Sequence, residues 1–131
     1  MAHRVGIIGL GTVGSRFVEQ FNLHNAFDLV AAWDLDPNAC SSHKDSVKIA
    51  STAGEVIAES DLVYVAVPPI HHETYVRDCL ANNTAIFCEK PLGVDLQTSR
   101  QLVADVNQSG LPAGVNFVFS SAPSAIELQQ R

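Results

Sequence analysis

The feature that most constrains this chain is a cluster of glycines near its start. Gly9-Leu10-Gly11-Thr12-Val13-Gly14 joins an apolar run, Val5 to Leu10, to a stretch in which Val13, Phe17, Val18 and Phe21 fall on one helical face. A strand-to-helix turn of this spacing uses its glycines differently. Gly9 permits the tight turn, Gly11 lets the backbone approach a ligand, and Gly14 allows the helix to pack closely on the strand. Thr12 and Val13 open the helix, where free N–H groups and the helix dipole favour a phosphate. The pattern alone is weak, but here it follows a strand, opens a helix and is followed about twenty residues later by an acid, Asp34, which together point to a dinucleotide. A turn whose glycines serve packing only is the competing reading.

Asp34 closes a second apolar run, Asp28 to Trp33. A carboxylate there can accept hydrogen bonds from both hydroxyls of an adenosine ribose, and a 2′-phosphate would meet like charge. Asp36 adds to that bias, no Arg stands at positions 34 to 36, and the nearest cations, His43 and Lys44, are expected in the following loop. NAD is therefore expected as cofactor, with NADP disfavoured. The plain alternative for Asp34 is a solvated acid at a strand end.

The rest of the chain alternates in the same way. Val47 to Ala50 reads as a short third strand and Glu55 to Glu59 as a brief helix. Asp61 to Val67 is the fourth strand, ended by Pro68-Pro69; Tyr75, Val76, Cys79 and Leu80 then recur at helical spacing. Thr84 to Cys88 is a fifth strand. Asp95 caps a helix that turns Leu96, Leu102, Val103 and Val106 inward and closes at Gly110, and Ala113 to Phe119 is a sixth strand. Alternation with right-handed crossovers gives an α/β fold, a doubly wound and mostly parallel sheet of the Rossmann type, in the order 3-2-1-4-5-6. Residues 1–119 are expected to form the dinucleotide-binding domain and 120–131 a polar tail.

Composition narrows the function classes. The 131 residues carry a net charge of −6, which argues against nucleic-acid binding, and 47% are hydrophobic, ample for one core. No apolar run is long enough for a membrane span, and no signal peptide precedes the first strand, so a cytoplasmic protein is expected. Cys40, Cys79 and Cys88 form no C-x-x-C pair, which suits a reducing compartment. His71 and His72 lack the spacing of a helical zinc site, so no metal is expected.

Two further segments carry a family resemblance. The fourth strand runs into Val67-Pro68-Pro69-Ile70-His71-His72-Glu73 and the fifth into Cys88-Glu89-Lys90-Pro91-Leu92-Gly93. With the glycine turn, these resemble the Gfo/Idh/MocA oxidoreductases, which include glucose–fructose oxidoreductase and inositol dehydrogenase. The family pattern T-P-x-x-x-H followed by E-K-P maps onto Pro68, His72 and Glu89-Lys90-Pro91, with Val67 where Thr is usual and Pro69 where Asn is common. Gly114-Val115-Asn116-Phe117 resembles the strand leading to the family's second domain, with Val118 where many members have Arg.

The resemblance implies an NAD(P)-dependent oxidation of a sugar, cyclitol or related hydroxyl compound. It places Lys90 beside nicotinamide and substrate as the catalytic cation, and Val67, Pro68, His72 and Glu89 around the cofactor with Gly9, Gly11, Thr12, Val13, Gly14 and Asp34. His72 either caps the helix from Glu73 while lining the nicotinamide pocket, or is a plain first-turn residue. A cis bond before Pro91 is common in the family, against about one X–Pro bond in twenty generally, so both isomers are open. The family's second domain carries a catalytic His in a D-x-x-x-H pattern, which none of the five histidines here matches. The chain is thus expected to be the cofactor domain of a larger dehydrogenase and inactive alone, lacking a general base or acid. Phe117, Val118, Phe119 and Leu128, left facing the missing domain, would invite self-association, and the tail after Ser120 would fray. The alternatives are a dinucleotide-binding sensor, to which Lys90 would be superfluous, and the start of another dehydrogenase such as homoserine dehydrogenase, which Glu89-Lys90-Pro91 disfavours.

Overall fold

The computed structural model describes residues 1–118 and 122–129. Five strands, β1 (His3–Ile8), β2 (Phe27–Trp33), β3 (Leu62–Val65), β4 (Ala85–Glu89) and β5 (Ala113–Asn116), form one parallel sheet in the order β2-β1-β3-β4-β5. The third apolar run of the sequence, Val47 to Ala50, contributes a single parallel bridge, Ile49 to Ala32, outside β2. The order 3-2-1-4-5-6 therefore holds, with its third strand cut to one rung. The cause is local: beyond Ala50 the Ser51 N–H is held by Glu55 at 2.7 Å and Thr52 caps the next helix, so the chain is already turning.

Among the described residues six α-helices connect or follow the strands: α1 (Thr12–Leu23), α2 (Pro37–His43), α3 (Ala53–Glu59), α4 (His72–Ala81), α5 (Leu96–Ser109) and α6 (Pro123–Gln129). Strand side chains alternate between faces, and two clusters result. Val5, Ile7 and Tyr64 pack with Val18 and Phe21 of α1, and Cys40 of α2 packs against the same cluster. Ile8, Val63, Val65, Ile86 and Cys88 pack on the other face with Val56, Val76, Cys79 and Leu102 of α3, α4 and α5. Each fully buried aliphatic side chain contributes about 1.5–3 kcal/mol to burial.

Periodicity marks the buried stripes but not their margins. Val13, Leu96 and Val103, expected inward, are exposed; each lies at a helix start or on the flank of the stripe, where the sheet no longer covers it. The sixth run stops pairing at Asn116, and Phe119 lies outside the described residues, as do Ser120, Ser121, Gln130 and Arg131. The expected fraying after Ser120 thus falls partly outside the described residues, while Pro123–Gln129 is a helix that the sequence reading left unassigned. Phe117, Val118 and Leu128 are exposed. Among the described residues, no helix is long and apolar enough to cross a membrane.

Candidate functional site

The carboxyl ends of β1, β3 and β4 lie side by side, Ile8 opposite Val65 and Val65 opposite Cys88. From β1 the chain goes to β2 on one side, while β3 stands on the other, so the crevice beyond β1 is the switch point where open α/β sheets take ligands. The glycine turn fills it. Gly9 has φ +103°, and a Cβ there would stand 2.6 Å from the Ala66 carbonyl carbon. A Cβ on Gly14 would meet the Gly9 oxygen at 1.8 Å, so only glycine lets α1 start so close to β1. Gly11 differs: a Cβ there would meet nothing within 4 Å, leaving a bare stretch of backbone on an open side.

No side chain caps α1. Its first N-terminal bond is Ser15 N–H to the Gly11 oxygen, 2.9 Å, so the N–H groups of Thr12, Val13 and Gly14 precede the helical ladder. Asp34 braces the turn from outside, its Oδ2 accepting from the Leu10 N–H at 2.6 Å and its Oδ1 from the Asp36 N–H at 2.8 Å. Each oxygen keeps further acceptor capacity. Beside it, Trp33, Asp34 and Leu35 face Val67, Pro68 and Tyr75 across a cavity of about 400 Å³. A larger and more apolar groove, about 520 Å³ between Phe21, Phe27 and Phe87, lies at the amino ends of the strands and holds no cluster of charged groups.

The other half of the crevice is organised by Glu89. This buried carboxylate accepts from the Tyr64 hydroxyl, from Asn116 Nδ2 at 2.5 Å and from the Lys90 N–H at 3.2 Å. Burial, then the bond to Glu89, drives the Tyr64 phenol far up, so it stays a donor at every physiological pH. Lys90 itself is exposed, its ammonium in no ion pair among the described residues, and the Lys90–Pro91 peptide is cis. His72 is fully buried and does not cap α4; the residue at the cap is His71, whose side chain makes no capping bond. The His72 ring stands instead between two carbonyls, Nε2 at 2.7 Å from the Val67 oxygen and Nδ1 at 2.9 Å from the Pro91 oxygen.

The residues singled out in the sequence therefore gather at one edge of the sheet. Gly9, Gly11, Thr12, Val13 and Gly14 form the turn, Asp34, Val67 and Pro68 line one cavity, and Glu89 and Lys90 end the neighbouring strand. Sequence reasoning missed Tyr64 and the bracing role of His43, which ends α2 with Nε2 2.9 Å from Ser15 Oγ, itself donating to the Leu10 oxygen at 2.9 Å. Burial pushes the Cys79 and Cys88 thiols up to about 12, which leaves them inert in the core.

Residues 3–117 match the Gfo/Idh/MocA oxidoreductase family, NAD-binding Rossmann fold. The chain belongs to this family. It is 32% identical over 108 residues to an inositol 2-dehydrogenase of Cereibacter sphaeroides, covering 79% of this chain and 32% of that one. It is 30% identical over 118 residues to a trans-1,2-dihydrobenzene-1,2-diol dehydrogenase of Sus scrofa, covering 85% and 35%. The chain thus spans about a third of the length of these curated relatives. A scyllo-inositol dehydrogenase from Lactobacillus casei, solved with NAD(H) and scyllo-inositol, superposes with a TM-score of 0.89 at 20% identity, over 99% of this chain and 40% of that one. The fold is thus that of the Gfo/Idh/MocA Rossmann domain, and the comparisons give no support to a sensor or a homoserine dehydrogenase-like protein.

Proposed function

We propose that this Gfo/Idh/MocA domain is the NAD-holding part of a dehydrogenase that oxidises a secondary alcohol of a cyclitol, sugar or related diol. The observation that carries the reading is the glycine turn: an uncapped helix start, bare at Gly11 and braced through Leu10 by Asp34. A diphosphate fits such a cradle, because the N–H groups of Thr12, Val13 and Gly14 supply donors and the helix end supplies positive potential. Asp34 would accept from the adenosine ribose hydroxyls, and Val67 and Pro68 would wall the same crevice. When bound, the nicotinamide supplies the hydride acceptor. Lys90 would donate a hydrogen bond to the reacting hydroxyl and stabilise negative charge on its oxygen, while Glu89, held by Tyr64 and Asn116, fixes the backbone from which Lys90 springs. A general base for the hydroxyl proton would come from the rest of a longer enzyme, and so would most of the substrate pocket.

Trp33, the one tryptophan, borders the Asp34 cavity and gives a direct readout. Titration of the 131-residue protein with NADH and NADPH should quench Trp33 with NADH bound more tightly; tighter NADPH binding would defeat the role given to Asp34. Addition of inositols and NAD⁺ to the chain alone should give no NADH. The exposed Phe117, Val118 and Leu128 fit a face that self-associates, to be checked by light scattering, and three unpaired thiols suit a reducing cytoplasm.

A further inference from the structure

The two carbonyls around His72 demand more protons than a neutral imidazole carries. A neutral ring has one N–H; its other nitrogen presents a lone pair. At His72 both nitrogens lie at hydrogen-bond distance from oxygens that can only accept, 2.7 Å to Val67 and 2.9 Å to Pro91. With one proton, one of these contacts would set lone pair against lone pair in a site fully closed to water. With two protons, both contacts are charge-assisted donor bonds.

We infer that His72 is a positioning residue, an imidazolium that clasps the loop after β3 to the loop after β4 and so sets where Lys90 stands across the crevice. The role rests on the cofactor reading given above, since Val67 and Lys90 matter through what the crevice holds. The clasp spans two breaks in the sheet edge that no backbone ladder joins: β3 ends at Val65 and β4 at Glu89, while the carbonyls belong to Val67 and Pro91. His72 begins α4 and is the first buried residue after Val65, so its ring is fixed by the helix that follows.

The charges around it neither supply nor remove the need for the proton. The loop from Ala66 to Ile70 carries no titratable side chain. On α4, Glu73 is engaged by Arg77 at 2.8 Å, and Arg77 also reaches Asp105 of α5 at 2.8 Å. At the end of β4, Glu89 is taken up by Tyr64, Asn116 and the Lys90 N–H, and the Cys88 and Cys79 thiols are neutral because burial raises them. His71, at the cap of α4, is exposed. Among the described residues the His72 ring has no carboxylate partner. The two carbonyl dipoles are what hold it. Loss of either contact would therefore release one loop and loosen the crevice.

Two measurements test this. Nitrogen-15 imidazole spectra of the 131-residue protein, with His72 assigned by comparison with His72→Gln, should show protons on both ring nitrogens of His72 in the folded chain at neutral pH. A single protonated nitrogen there would overturn the clasp. NADH affinity should be about tenfold weaker in His72→Gln, the worth of one charge-assisted contact. Glutamine carries both of its N–H donors on one nitrogen and no charge, so it cannot replace two charge-assisted bonds made from separate ring nitrogens. Equal affinity in the two proteins would show that the ring does not position the site. Should His72→Gln fail to fold, the ring spectrum of the wild-type chain, assigned through its slow exchange with solvent, still decides. A doubly protonated His72 in a chain that binds no NADH would instead remove the cofactor reading and leave the clasp intact.

Discussion

Two helices of this small domain begin in opposite ways. At α5, Asp95 turns its carboxylate back on the helix and accepts from the Gln97 and Thr98 N–H groups, the latter at 2.7 Å. At α1, the residue in the same position is Gly11, and no side chain answers the first-turn donors. α2 and α3 follow the α5 solution, with Asp36 and Thr52 as caps. A helix that closes its own amino end gains stability and offers nothing to a guest. One that leaves it open, inside a turn braced by Asp34, forgoes that gain and keeps its donors for an anion. On the cofactor role proposed above, the contrast would separate residues that hold the fold from residues that hold a ligand, and substitutions at the two ends should divide along the same line.

The largest effect is expected where the open turn is also a packing point. Gly14→Ala places a methyl 1.8 Å from the Gly9 oxygen, so it should cost about 3 kcal/mol or more and lose stability and NADH binding together, as read by urea unfolding beside a nucleotide titration. Gly11→Ala meets no atom within 4 Å, so its melting temperature should stay near that of the wild type while NADH binding weakens by about tenfold or more. A Gly11→Ala protein that binds normally would break the comparison, because the bare side of the turn would then hold nothing. Asp95→Ala should do the reverse, lowering Tm by a few degrees and leaving NADH affinity unchanged.

The smallest effect is a pH dependence at the closed end. Hydrogen bonds from Thr98, then Gln97, hold the Asp95 carboxyl below its usual value. Its contribution is therefore fully present above the unfolded-state value of about 3.9 and is lost as pH falls through the lower folded value. Asp95→Asn, which caps without a charge, should show a shallower loss of α5 in acid by circular dichroism. An identical acid profile would mean that the cap, not its ionisation, carries the difference.

What could be read from residue order was local. The glycine turn, Asp34 and Glu89-Lys90-Pro91 are spacings within short segments, and their chemistry follows from residue type. The strand order was legible because alternation and crossover handedness leave few arrangements. The margins of buried stripes were not: Val13, Leu96 and Val103 fit their helical periods, yet they end up in solvent where the sheet stops. Nor could the partners of Glu89 and His72 be read. Tyr64 and Asn116 meet Glu89 from two other strands, and the His72 partners are main-chain carbonyls, which every residue has.

The bond between Leu10 and Asp34 also bears on how the chain folds. It closes a separation of 24 residues, and the pairing of Arg4 with Asp61 at the other end of β1 closes 57. In an all-parallel sheet every rung beside β1 is bought with loop-closure entropy before it returns anything. The turn acquires its brace only after β2 has docked on one side of β1, and its wall only after β3 has docked on the other. A nucleotide that recognises the finished turn thus selects the fully assembled chain. At a concentration one hundred times its dissociation constant it would deepen the native state by about 2.7 kcal/mol, and refolding yield in its presence would report on the docking of the sheet as a whole.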